Sequence, residues 1–423
     1  MRTMIASADF AAIAARVRYD DALNWKRLPL AAVLACSAAF SLAACTGQER
    51  PAAPLPQPPA PTVEAPVDGD WWKQAGDPLL ADLVARGIAA DHELACRAAR
   101  LAVQAEADAS AERRLSGRMR KLVGTDHGLS RAAALRADQY AYAQARAARA
   151  AAVALAYVEV RRLQNVLVLR TERLDQFRDN AAIAEFRRQA GLVTAIDGGI
   201  GSSMAGVADA DLAATRARFE RARMELARMA DMDDAALLTA LGESGDVSDL
   251  GRDPPGPADE GPLHRADLLA LRYRLLSRIE HEKMTQADID KAEAESRLGE
   301  GDPATPPLLR DGLDELGKAE AEARAEIAAT RQALVLLDAR EQALGQSGER
   351  SRRAVQDARA AYRAGMGDFA TLYVAEASAL SVEEARLGLR AERAAGMIRL
   401  HLQRGDGWSA ADLSPQVGVA ACD

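Results

Sequence analysis

Apolar residues recur at every third or fourth position of this chain, over runs much longer than a globular helix needs. Val153, Val160, Leu167 and Leu174 stand seven apart. So do Leu212, Phe219 and Leu226, with Thr215, Ala222 and Met229 interleaved, and Ile327, Leu334, Leu337 and Leu344 keep the same rhythm. Sustained heptads describe a narrow seam between partner helices. The pattern predicts helices over 79–114, 132–189, 209–241, 267–298, 318–364 and 368–403. At the helical rise the longest, ~58 residues, measures ~87 Å.

The interruptions repeat as well. Residues 116–130 carry Gly117, Gly124 and Gly128, and 299–317 carry Pro303, Pro306 and Pro307; both read as short breaks. Residues 243–262, rich in Gly, Asp and Pro, separate two halves. Each half ends a long helix on a glycine turn: Arg188-x-x-Gly191-x-x-Thr194-Ala-Ile-Asp197, and Tyr362-x-x-Gly365-x-x-Asp368, 174 positions later. Glycine just past a helix supplies its left-handed C-cap, and Asp caps the N-terminus of the next one. The expected fold is all-α: long antiparallel helical hairpins in two tandem repeats.

Composition agrees. Aromatic residues make up 4% and charged residues 27% of 423 residues, and alanine, leucine, arginine and glutamate, all strong helix formers, dominate. The net charge of −8 is spread along helix faces, which argues against a nucleic-acid partner. At the N-terminus, Lys26 and Arg27 precede an apolar run from Leu28 to Phe40, then Leu42-Ala43-Ala44-Cys45. That run is short for a membrane span and reads as a secretory signal. Residues 1–25 hold three Asp, so a later start codon and an atypical signal both stay open. Seven prolines in 46–69 form an extended spacer. The expected organisation is a signal over 1–45, a tether over 46–69, repeats over 70–242 and 264–407 joined by a linker over 243–263, and a tail over 408–423.

The candidate chemistry is sparse. His92 and Cys96 share a helix face, but with no third ligand nearby no metal site is expected. With Cys36 removed in the signal and Cys45, its closing residue, lipidated, only Cys96 and Cys422 remain to pair, and a bridge between them is not expected. Gly198-Gly199-Ile200-Gly201 follows no strand, so a phosphate cradle is not expected either. No nucleophile–base set emerges, so neither catalysis nor a cofactor is expected. Trp71-Trp72 is read either as an interfacial anchor or, preferred, as packing for the incoming chain. Asp197 and Asp368 are read either as helix caps or as acidic rings at a tunnel mouth.

These pieces in this order resemble the TolC-like outer-membrane factors, in particular their lipoprotein branch. The residues that carry the resemblance are the lipobox at Cys45; Trp71-Trp72-x-x-x-Gly-Asp-Pro-x-Leu80; Tyr157 with Arg161 and Gln164; the two glycine turns; His264-Arg265-Ala266-Asp267-Leu268; and Gly405-x-Gly407-Trp408. Val33-Leu34-Ala35-Cys36 is a weaker second lipobox, and Ala266 stands where the family usually has proline. The resemblance implies a homotrimeric exit component of a tripartite efflux or secretion system, lipid-anchored through Cys45 in the outer membrane of a Gram-negative bacterium. Gly191, Asp197, Gly365 and Asp368 would then lie at a periplasmic tip that meets an adaptor and an inner-membrane pump. It also implies a strand hairpin in each half. The two breaks lack the alternation of membrane strands, so little or no barrel is expected here. A barrel-less periplasmic scaffold is the alternative.

Overall fold

A computed structural model describes residues 69–113, 128–193, 195–246, 264–279, 286–298 and 302–415. They fall in one compact unit. Among them there is no strand. The helices are α1 (Trp71–Gln74), α2 (Pro78–Ala89), α3 (His92–Arg113), α4 (Gly128–Gln189), α5 (Ala195–Met229), α6 (Asp234–Leu241), α7 (Ala266–Ile279), α8 (Gln286–Leu298), α9 (Pro307–Arg363) and α10 (Phe369–Arg404), followed by a 3₁₀ turn at Ala410–Leu413. The all-α expectation holds.

Two antiparallel hairpins, α4–α5 and α9–α10, form the body, and α4 packs on α10 to join them. The heptad seams are where the burial is. Val153, Val160 and Leu226 are fully covered, as are Ile327 and Ile398, in one continuous core that also takes in Trp71 and Trp72. Each such side chain contributes roughly 1.5–3 kcal/mol. Seams of this length are what hold helices of 62 and 57 residues, α4 and α9, in line.

Several predicted boundaries are corrected. The helix expected over 79–114 is broken at Ala90–Asp91, because Asp91 restarts it by accepting the Leu94 amide at 3.0 Å. The helix expected from 209 begins at Ala195, taking in Gly198, Gly199 and Gly201 despite their poor propensity. Packing overrides it: a side chain at Gly201 would lie 3.1 Å from the Ala181 backbone and 3.2 Å from the Phe369 ring. The same predicted helix stops at Met229, and Asp233 caps a separate α6 through the Ala235 and Ala236 amides. The helix expected over 267–298 appears as α7 and α8, with 280–285 outside the described residues. The second break is mostly helix. Pro307 sits at the first helical position of α9, where its missing N–H costs nothing, and Leu309, Leu313 and Leu316 are buried. In the first break Gly128 already opens α4; 114–127 lie outside the described residues.

Candidate functional site

The two glycine turns close their helices in the same way. Gly191 N–H donates to Arg188 O (3.0 Å) and Leu192 N–H to Arg187 O (2.8 Å). In the second repeat Gly365 N–H donates to Tyr362 O (3.1 Å) and Met366 N–H to Ala361 O (2.9 Å), each bond shifted by the repeat length. Both glycines are left-handed, with φ of 70° and 74°. This is the Schellman closure, which satisfies the last carbonyls of α4 and α9.

The turns lie at one end of the body, side by side. The Arg187 guanidinium sits 4.5 Å above the Tyr362 ring and donates to Tyr362 O at 2.8 Å. Tyr362 meets Phe369 edge-on at 6.0 Å, and these rings with Ala184 and Leu372 make a small buried cluster. Leu192 and Met366, at equivalent places in the two turns, are 71% and 81% exposed, and Phe186 beside them is 71% exposed. A Schellman turn usually tucks that apolar residue against its own helix. Here both point into solvent.

Asp368 caps α10: its carboxylate accepts the Thr371 amide at 2.6 Å, and hydrogen bonds from Thr371 hold its pKa below the usual carboxylate range. Asp197 lies in the first turn of α5, three places past Thr194, which is the counterpart of Asp368. Thr194 is outside the described residues, as is Cys45.

Above the turns, polar ties cross between the hairpins. Glu376 is wholly buried and accepts from Arg359 Nε of α9 and Asn180 Nδ2 of α4, both at 2.8 Å, while Arg359 also donates to Gln176. Farther up, Arg170 forks onto Glu384 at 2.5 and 3.1 Å and reaches Thr215 at 2.8 Å. Sequence reading missed these groups. The one available signal was Glu376 standing on the Phe369–Leu372–Ala379 seam, where an apolar residue belongs.

At the other end of the seam, the residues singled out from the sequence converge. Tyr157 donates to Asp77 at 2.6 Å, and Arg161 donates to Tyr157 (2.8 Å), Gln164 (2.8 Å) and Leu241 O (2.7 Å), tying α4 to α2 and α6. Burial first, and then the hydrogen bond to Asp77, push the Tyr157 pKa up to about 12. Arg146, also missed, ties the first and last described segments together: it meets Asp70 at 2.8 Å, Gly407 O at 2.6 Å and Asp412 at 3.0 Å. Trp71 stacks on His401 at 4.9 Å, and Trp72 is 1% exposed, so the pair packs the incoming chain. Trp408 donates to His264 O at 3.2 Å.

Cys96 is disulfide-bonded; the other cysteines lie outside the described residues. A bridged sulfur is no thiolate ligand, so the His92–Cys96 spacing carries no metal chemistry. Among the described residues no group of metal ligands assembles, and no helix is long and apolar enough to cross a membrane.

No protein-family model and no curated protein matches the sequence. Solved structures do match. The outer-membrane channel OprN aligns with a TM-score of 0.65 at 20% identity, over 82% of this chain and 94% of its own. The outer membrane protein VceC from Vibrio cholerae aligns at 0.63 and 16% identity, over 80% and 99%. The Campylobacter jejuni CmeC outer membrane channel aligns at 0.61 and 13% identity, over 81% and 88%. Two of these neighbours, OprN and CmeC, are outer-membrane channels. The described helices have the fold of the TolC-like outer-membrane channels.

Proposed function

We propose that this protein is the exit component of a tripartite efflux or secretion system, without catalysis. It is held at the periplasmic side of the outer membrane by a lipid on Cys45 and assembles as a homotrimer. The observation that carries the reading is the pair of level glycine turns closing a double helical hairpin of channel fold. Gly191, Asp197, Gly365 and Asp368 belong to the periplasmic tip. There the exposed Leu192, Met366 and Phe186 offer apolar purchase to the adaptor, which in turn holds the inner-membrane pump. In a host strain deleted for this gene, restored export should require both the wild-type turns and Cys45. Mature protein should carry an acylated Cys45 by mass spectrometry. A Cys45→Ala protein that stays membrane-bound and normally processed sinks the anchor.

A second reading has its own observation. α3 runs to Arg113 and α4 starts at Gly128, leaving 14 residues between them; α8 ends at Leu298 and α9 starts at Pro307, leaving eight. Two membrane strands need roughly 18–22 residues. The breaks are therefore too short for the strand hairpins that the resemblance implies. On this reading the chain is a helical scaffold beneath the membrane, and transport requires a barrel-bearing partner. Large, stable single-channel conductance from the purified protein alone in planar bilayers refutes it.

A further inference from the structure

Cys96 is disulfide-bonded, and its partner follows from where the other cysteines stand. They are Cys36, Cys45 and Cys422. Cys36 falls within the signal segment, and a lipid on Cys45 takes up that sulfur. Cys422 belongs with Cys96 to the compact unit Pro56–Asp423, whereas Cys36 and Cys45 belong to the other unit. We propose that Cys422 is the partner, and that the bond staples the tail beyond Pro415 across a cleft between α3, α4 and α7. Setting Cys45 aside rests on the lipid anchor proposed above; the placement of the tail does not.

Three observations on described residues carry the placement. First, register. Asp91 pairs with Arg149 at 3.1 Å and Asp108 with Arg131 at 3.8 Å, so α3 runs antiparallel along α4. Stepping along both helices from Asp91 sets Cys96 level with Gln144, between Tyr142 and Arg146. Second, the last described turn comes to that same level. The 3₁₀ turn at Ala410–Leu413 packs on α4, and Arg146 holds its Asp412 at 3.0 Å. Burial first, and then the Asp412 charge, push the Tyr142 pKa up. Third, the ground beside Cys96 is a cleft of about 470 Å³, lined by Cys96, Arg100, Leu101, Ala141, Tyr142 and Arg274 among others. Tyr142 thus faces Asp412 on one side and the Cys96 cleft on the other.

Reach and chemistry suit the tail. Cys422 is ten residues past Asp412. Ten extended residues span up to ~33–36 Å, whereas packed helices lie only about 8–10 Å apart, axis to axis. Val417-Gly418-Val419-Ala420-Ala421 is small and apolar, as Leu101, Ala141 and the Tyr142 ring require, and Asp423 brings an acid toward Arg100 and Arg274. The bond forms by exchange: one thiolate attacks a protein disulfide, and the second displaces that donor. The two sulfurs join, and two protons and two electrons pass to the donor, which leaves as a dithiol. Such donors act outside the reducing cytosol, so the staple closes after export.

The test is peptide mapping of the full mature protein, purified without reductant after its free thiols are blocked with iodoacetamide. Trypsin cuts after Arg86, Arg97 and Arg404. Fragment 87–97 should be recovered joined to fragment 405–423, lighter than the two reduced fragments by two hydrogens. Cys96 joined to Cys45 overturns both the staple and the lipid anchor. Cys96 joined to Cys96 of a second copy, or recovered alkylated, overturns the staple and leaves the anchor standing. Urea unfolding is the second measurement. The bond closes a loop of more than three hundred residues, and long loops constrain the unfolded chain most. Reductant should therefore lower the wild-type midpoint. Cys422→Ser should start at the lowered midpoint and not respond to reductant. A wild-type midpoint that reductant leaves in place, or a Cys422→Ser midpoint that it still lowers, overturns the staple.

Discussion

Glu376 is the group whose loss is most diagnostic of how the two hairpins are held. It is a fully buried carboxylate with two donors, Arg359 and Asn180, on two different helices. Removing one partner of a buried ion pair costs about 3–5 kcal/mol, because the other charge is left uncompensated. Here Arg359 is 32% exposed and keeps Gln176, so water and the amide take up part of its charge. The Asn180 amide loses its partner and adds about 1–3 kcal/mol of desolvation. Glu376→Ala is therefore expected to cost about 2–4 kcal/mol. The double variant Glu376→Leu with Arg359→Met should cost clearly less than the sum of the two single losses, since neither charge is then stranded. The assay is urea unfolding at fixed protein concentration, read as a shift in midpoint at unchanged slope. Strictly additive losses would show that Arg359 and Glu376 do not act as a pair, and the account of the inter-hairpin tie would fall.

The remaining predictions are quicker to state. Gly365→Ala, forced to φ of 74°, should cost about 1 kcal/mol by the same assay, and Gly365→Asn less, since Asn tolerates the left-handed region; equal losses would refute the cap. Gly201→Val should cost about 1–3 kcal/mol by driving α5 off Ala181 and Phe369, and wild-type stability would refute the close approach. Tyr157 and Tyr140, pushed up to about 12 mainly by burial, should ionise late in a spectrophotometric titration. Their raised values add stability that is complete below pH 10, the ordinary tyrosine value, and is lost as pH rises toward 12. Replacing both with Phe should remove that alkaline loss, and ionisation of both near pH 10 in the folded protein would contradict the burial.

The sequence showed the parts whose signal is periodic or local. Heptads placed the seams at Val153–Leu174 and Leu212–Met229, and the turn chemistry at Gly191 and Gly365 is written in a glycine and its neighbours. Long-range effects were illegible. The glycine-rich start of α5 is helical only because Ala181 and Phe369 lie against Gly201, which no local propensity encodes. The prolines at 303, 306 and 307 read locally as a break, yet α9 starts at Pro307 because Leu309 and Leu313 are buried in one cluster with Leu275 and Ile279 of α7. Arg146 looks like any arginine in an alanine-rich run until the fold brings Asp70, Gly407 and Asp412 to it.

The level of the two turns has a consequence for how this chain can change length. Arg187 touches Tyr362 only while α4 and α9 reach equally far. Each hairpin is a ruler, and the tip is where two rulers must read the same. Removing one residue from α4 rotates everything beyond it by about 100° and takes the seam out of phase. Removing seven from each arm of one hairpin keeps the phase but withdraws its turn by about 10 Å, and Arg187 loses its ring. Tolerated length changes should thus come in whole heptads and in all four arms at once. Relatives of different height should differ by such matched steps, with the two turns still level.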